Sequence, residues 1–143
     1  MELMIKAFDQ LTTMELYEIL KVRTAVFVVE QNCPYQDIDG ADLGALHVFL
    51  QDETGIKAYL RVFEEDAHTA HIGRVLTTQR GGGYGGEILK EGIRAARERL
   101  RKDAVYLEAQ TYAKGFYERE GFRVTGDEFL EDGIPHVPML LEF

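Results

Sequence analysis

The chain has one cysteine, three prolines, and 16 basic residues against 25 acidic ones in 143 positions. A single cysteine, Cys33, excludes an internal disulfide and any cysteine-rich metal site, and fits a reducing compartment. With few prolines, no low-complexity tract and no internal repeat, nothing reads as a linker, so one domain spanning 1–143 is expected. No hydrophobic run approaches the roughly 18 residues that cross a bilayer, and the N-terminus lacks a signal-peptide layout, so a cytoplasmic protein is expected. The net charge of −9 argues against nucleic acid or an anionic membrane as partner, since either needs a basic face.

What is present is an ordinary globule, 45% hydrophobic and 29% charged. A chain of this length buries roughly two thirds of its unfolded surface. Its organising stretch is His71-Ile-Gly-Arg-Val-Leu-Thr-Thr-Gln-Arg-Gly-Gly-Gly-Tyr-Gly-Gly86, a strand running into a loop with five glycines in six positions. The helical run Glu87 to Lys102 follows, with Ile88, Gly92, Ala96 and Leu100 recurring every fourth residue. Helix starts carry unpaired N–H groups and partial positive charge, and glycines admit an anion to them, so the turn is built for phosphate.

Residues Gly81 to Gly86 fit two phosphate templates. One is the dinucleotide fingerprint G-x-G-x-x-G, with Glu108 roughly 20 residues on as ribose-binding acid, although too little chain follows to complete the usual sheet. A Walker loop fails because Glu87 stands where lysine is needed. The other is R/Q-x-x-G-x-G/A, here Arg80-Gly81-Gly82-Gly83-Tyr84-Gly85. Here, and at Ala113-Lys-Gly-Phe-Tyr-Glu-Arg-Glu-Gly-Phe122, the chain resembles the GNAT N-acetyltransferase superfamily. Arg23-Thr-Ala-Val-Phe-Val-Val-Glu-Gln31, Cys33-Pro-Tyr35, Asp39-Gly-Ala-Asp42 and Glu131-Asp-Gly-Ile-Pro-His-Val-Pro-Met139 resemble its ElaA-like branch.

The remaining elements read in order. Met1 to Phe8 is a strand; Thr12-Thr-Met-Glu15 is a capping box that starts a helix reaching about Val29. Leu46 to Gln51 and Ile56 to Phe63 form a hairpin, and a third strand runs from about His68 to Leu76. Ala104 to Gln110 follows the long helix, and a right-handed crossover makes it parallel to the strand before. Ala113 to Glu120 is a short helix, with closing strands at Phe122 to Thr125 and His136 to Glu142. The expected fold is α/β (α+β), a GNAT-like mixed and mostly antiparallel sheet of six to seven strands, splayed between two parallel strands and flanked by about four helices. The acidic loop Asp37 to Asp42 lacks EF-hand spacing and reads as a solvated or helix-capping turn, so no metal is expected.

The resemblance implies an acetyltransferase using acetyl-CoA as co-substrate. It implies that Arg80, Gly81, Gly82, Gly83, Tyr84, Gly85 and Gly86 hold the pyrophosphate, that Val75, Leu76 and Thr77 meet the pantetheine arm, and that Phe116 adjoins the cofactor. A histidine in the C-terminal P-H-x-x-M segment, here His136, matches the general base; His71, on the strand entering the loop, is the rival. Tyr117 matches the general acid that protonates the leaving thiolate. Arg23 and Arg74 are the substrate-side candidates, with Gln110 and His71 lining the same cleft, and two arginines favour an acceptor that carries both an amine and an acid group. Each histidine, tyrosine and arginine also has a plain reading as packing or salt-bridge residue. Cys33 carries no nucleophile signal, so direct transfer to a small-molecule amine is expected; a non-catalytic acyl-CoA sensor is the alternative. Dimerisation, common among such proteins, stays open.

Overall fold

The computed structural model describes residues 1–143. Thr12 Oγ1 accepts from Glu15 N at 3.0 Å and Glu15 Oε1 accepts from Thr12 N at 2.8 Å, so the capping box opens helix α1 (Thr13–Arg23). The helix does not stay α to its end. Thr24–Glu30 is π-helical, and Cys33 N still reaches five residues back to Val28 O at 3.0 Å. Val26, Val28 and Val29 crowd an α-helical turn, which disfavours the tighter winding there. Three α-helices therefore flank the sheet rather than about four: α1, α2 (Tyr84–Glu98) and α3 (Lys114–Glu118).

The sheet has eight strands, one more than the upper expectation: β1 (Glu2–Ala7), β2 (Leu46–Asp52), β3 (Gly55–Glu64), β4 (Thr69–Thr77), β5 (Ala104–Gln110), β6 (Arg123–Val124), β7 (Phe129–Glu131) and β8 (Ile134–Glu142). Their order is β1-β2-β3-β4-β5-β8-β6, with β7 also paired to β8. The extra strand is the first half of a β7–β8 hairpin. Its turn, Asp132-Gly133, has φ of 51° and 79°, the doubly left-handed form that Asp-Gly favours.

Only β4 and β5 run parallel, and they pair at three positions, Thr69–Ala104, Ala70–Val105 and His71–Tyr106. Beyond His71 they diverge. On the other side of β4, Tyr59 pairs with Leu76 but Arg61 pairs with Gly73, so Arg74 and Val75 together face Leu60 across a β-bulge. Arg74 takes φ of 54°, a left-handed conformation costing a non-glycine residue about 1–2 kcal/mol. The bulge bends β4 where it leaves β5.

The strands alternate between two cores. Ala58, Leu60, Val62, Ile72, Val105 and Leu107 face α2, while Phe49, Tyr59 and Leu76 face Ile19 of α1. Helix α2 buries Ile88, Leu89, Gly92, Ala95 and Ala96. At Gly92 a Cβ would lie 2.6 Å from Leu60 Cδ2, so only glycine lets this helix sit so close to β3.

Candidate active site

Where β4 and β5 part, a cavity of about 1110 Å³ opens between the glycine loop, α3, β8 and the π-helical segment. At its phosphate end Gly81 and Gly83 take φ of 83° and 74°, and Gly83 caps α2 without a side-chain hydrogen bond. The first N–H groups of α2 have no partner within the helix, and Glu87 N to Gly83 O at 3.2 Å is its opening turn. A Cβ on Gly82 would strike the Tyr84 ring, and one on Gly85 would touch Phe116 and Thr77 at 3.5 and 3.6 Å. The turn can thus take an anion to its backbone, as a diphosphate requires. Arg80 lines the cavity with a 90% exposed side chain, meeting Glu30 at 3.1 Å. Gly85, Val75, Leu76, Thr77 and Phe116 also line it; Gly81, Gly82, Gly83, Tyr84 and Gly86 form the loop and first turn outside the wall.

Tyr117 and His136 line the same cavity. Tyr117 is 9% exposed, meets the rings of Phe116 and Phe122 edge-on at 5.0 and 6.0 Å, and its hydroxyl has no hydrogen-bond partner in the protein. Burial pushes its pKa up and keeps the hydroxyl protonated. His136 is 8% exposed, and its Nδ1 lies 2.7 Å from the Ile134 carbonyl. A carbonyl only accepts, which assigns the proton to Nδ1 and leaves the Nε2 lone pair free. Phe129 stacks on the ring at 5.9 Å, Glu131 Oε2 lies 3.7 Å from Nε2, and the residue pairs in register with Gln110. Gln110 in turn donates to Gln31 Oε1 at 3.1 Å.

His71 sits at the fork, its Nδ1 2.6 Å from Glu65 Oε2, stacked on Phe63 at 4.8 Å and edge-on to Tyr106 at 5.4 Å. His47 is fully buried between Tyr59 Oη at 2.8 Å and the Asp42 carbonyl at 3.0 Å, and burial lowers its pKa. His68 is exposed beside Asp103.

The arginines behave differently from expectation. Arg23 is 0% exposed and outside the cavity wall. Its Nε meets Asp37 at 3.0 Å and its Nη1 meets Asp42 at 2.6 Å, so it cannot clamp an acceptor. Asp42 also takes Arg61 at 3.0 Å; Arg61 meets Asp39 at 2.7 Å; Asp39 meets Arg74 at 3.3 Å; and Arg74 Nε returns to Asp37 at 2.8 Å, off the axis of a good hydrogen bond. Three arginines and three aspartates close a neutral ring. The loop Asp37 to Asp42 therefore supplies counter-charge to α1, β3 and the β4 bulge, with Asp37 and Asp42 buried, while its exposed middle is the capping turn expected: Asp39 Oδ1 accepts from Ala41 N at 3.1 Å where a 3-10 turn, Ala41–Gly44, begins. Sequence reasoning missed Arg61 and this ring because its members come from four separated segments, although the close spacing of the aspartates at 37, 39 and 42 was a weak signal.

A sheet forked at a bulge, a glycine turn opening α2, and a buried tyrosine and histidine meet at this one cavity. The profile of the Acetyltransferase (GNAT) domain matches residues 12–143. The chain belongs to the GNAT acetyltransferase family. Within that family it is similar to a UPF0039 protein of Schizosaccharomyces pombe, 38% identical over 99% of this chain and 97% of that protein. The solved structures agree. An acyl-CoA N-acyltransferase from Pseudomonas aeruginosa is 38% identical with a TM-score of 0.91, covering 99% of both chains. Escherichia coli ElaA is 35% identical with a TM-score of 0.91 and the same coverage, which sets this GNAT chain in the ElaA-like branch. The dinucleotide reading of the glycine loop falls with that assignment; Glu108, its ribose-binding acid, accepts from Tyr106 Oη at 2.9 Å.

Proposed function

We propose that the protein is an N-acetyltransferase that moves the acetyl group of acetyl-CoA to the amine of a small molecule by direct attack in a ternary complex. Acetyl-CoA supplies the activated acyl carbon. The α2 N-terminus, the glycine turn and Arg80 hold its diphosphate, and the free edge of β4 from Val75 to Thr77 takes the extended arm. His136 Nε2 removes the proton of the acceptor amine, with Ile134 fixing its tautomer through Nδ1. Tyr117 Oη holds the proton that the departing sulfur takes. A backbone N–H near Val75 or Leu76 faces the developing negative charge. The reading is carried by one observation: a histidine with a free ring nitrogen and a tyrosine with an unpartnered hydroxyl, both more than nine-tenths buried, line one cavity that begins at the glycine turn.

Two measurements test it. Acetyl-CoA and CoA raise the melting temperature and NAD does not, because a ligand stabilises the native state as RT ln(1 + [L]/Kd). Thiol release with a panel of amines then separates an enzyme from a silent acyl-CoA sensor. In Tyr117→Phe, which keeps the ring and removes the proton, turnover falls about 100-fold with acetyl-CoA binding intact; unchanged turnover removes Tyr117 from the chemistry.

A further inference from the structure

We propose that the acceptor is a dication, an aliphatic diamine or polyamine, whose second ammonium is held by Glu108 and Glu65, with Glu131 beside the reacting nitrogen at His136. The inference rests on the acetyltransferase reading above and assigns the substrate class of that site. It begins with the arginines. Arg61 and Arg74 face the cavity, but each is already shared between two aspartates, Asp39 and Asp42 for Arg61, Asp37 and Asp39 for Arg74. A carboxylate on the acceptor would have to displace one of these aspartates, so neither Arg61 nor Arg74 is free to clamp it.

Across the fork the balance is opposite. Glu108 and Glu131 line the cavity, and Glu65 lies behind His71 in a recess of about 510 Å³ that shares His71 and Glu108 with it. None of the three meets a lysine or arginine. Glu65 pairs with His71, Glu108 accepts only from Tyr106 Oη, and Glu131 lies 3.7 Å from His136 Nε2. Their fields converge on Tyr106, whose hydroxyl is pushed up first by burial, then by Glu108, then by Glu65 and Glu131. These carboxylates do not form a group that could hold a metal ion. The recess is lined by acidic residues and the ring of Tyr106, with His71 edge-on to that ring and stacked on Phe63 of the main cavity, and an aromatic face beside carboxylates suits an organic ammonium.

Two unpartnered polar groups, each nine-tenths buried, fix where the reacting amine belongs: His136 Nε2, beside Glu131, and the Tyr117 hydroxyl. A first amine at His136 leaves the rest of the acceptor facing Glu108 and the recess. Negative charge at the binding end also favours the protonated form of the distal nitrogen, which makes it a poor nucleophile and directs transfer to the nitrogen at His136.

The test compares 1,4-diaminobutane, 1-aminopentane and 4-aminobutanoate, alike in chain length and different in terminal charge, as acceptors in a CoA-release assay. Calorimetry of each with the CoA-bound protein runs beside it. The proposal expects the diamine to bind and to have the highest kcat/KM, with its advantage over 1-aminopentane falling about tenfold or more in Glu108→Gln and in Glu65→Gln. Acetyl-CoA stabilisation persisting in both variants shows that they fold. Preference for 4-aminobutanoate or 1-aminopentane, or an advantage that neither variant reduces, overturns the dication while leaving the acetyltransferase reading standing. Diamine binding that depends on Glu108, with no turnover of any amine, supports the charge assignment and overturns the catalytic reading instead. No binding and no turnover of the diamine overturns the proposal.

Discussion

Arg74 and Asp37 are joined twice: Arg74 Nε lies 2.8 Å from Asp37 Oδ1, and Arg74 Nη2 donates to the Asp37 carbonyl at 3.0 Å. A residue in a left-handed, bulged conformation is thereby tied to a loop that has no strand or helix of its own between Gln31 and Gly40. Tyr35 adds to the tie, donating to Asp37 Oδ1 at 2.6 Å with its ring 5.3 Å from the Arg74 guanidinium. The shape of the cleft wall is thus set by charge pairing as much as by the sheet.

Each aspartate of the ring takes two arginines, and Asp42 takes the two most deeply buried, Arg23 and Arg61. Asp42→Ala leaves the fully buried Arg23 with one carboxylate instead of two. Removing one partner of a buried pair costs about 3–5 kcal/mol, so denaturant unfolding is expected to show a loss of that order. A loss under about 1 kcal/mol, the range of exposed pairs, would mean that the ring contributes little.

Acid should act on the same ring. The guanidinium of Arg61 holds the Asp39 carboxyl well below the usual range. For Asp42, burial pushes upward but the hydrogen bonds and charges of Arg23 and Arg61 outweigh it, and the net shift is downward. A carboxylate with a lowered native-state pKa stabilises the fold above its unfolded value, and that contribution disappears as pH falls towards the native-state value. Stability from these groups is therefore constant down to about pH 4 and then declines, by at most about 1.4 kcal/mol per pH unit for each group. Asp39, 35% exposed, contributes less than this limit because solvent screens it. Urea midpoints measured from pH 7 to pH 2 should follow this profile, with a shallower acid slope in Asp39→Asn; a decline that starts above pH 5 points to other groups.

The pH–rate profile separates the two histidines. His136 has its Nδ1 proton committed to Ile134 and its Nε2 free, whereas His71 Nδ1 is engaged by Glu65. In His136→Gln the acidic limb of kcat/KM should vanish and the rate drop by about 10²–10⁴. His71→Ala should keep the limb. Survival of the limb in His136→Gln transfers the role of base to another group or to water.

Gly92 offers a test of packing alone. Alanine there gains about 1 kcal/mol in helix propensity but drives a methyl to 2.6 Å from buried Leu60. Overpacking costs about 1–3 kcal/mol, so Gly92→Ala should be neutral to destabilising by a net amount of up to about 2 kcal/mol. Net stabilisation in thermal unfolding would show that Leu60 and Ile72 have room to move.

The parts of this architecture written in local signals could be read directly. The Thr12–Glu15 capping box begins α1, and Ala104–Gln110 is a strand within the bounds the alternation suggested. The four-residue spacing from Ile88 to Ala96 likewise needed no partner to interpret, but α2 opens inside the glycine run at Tyr84 and ends at Glu98, not Lys102, with Arg101 in a left-handed conformation beyond it. What could not be read depended on residues distant in sequence. The bulge at Arg74 exists only in register with Tyr59 and Arg61, and the loop from Asp37 looked solvated because its counter-charges lie in α1, β3 and β4. Arg23 shows the same limit: arginine beside a cleft in one dimension proved to be the centre of a core in three. The β7–β8 turn was legible in principle, since Asp132-Gly133 is a strong hairpin dipeptide, yet it stood inside a motif that drew attention to His136 instead.

The brevity of the β4–β5 ladder, three residue pairs long, has one further consequence. Unsatisfied strand edges usually lie at the margin of a sheet, where they invite other sheets to add on and aggregate. Here the open edge is internal, bounded by two strands belonging to the same sheet. The molecule keeps an adhesive strand edge in its interior while denying that edge to its neighbours.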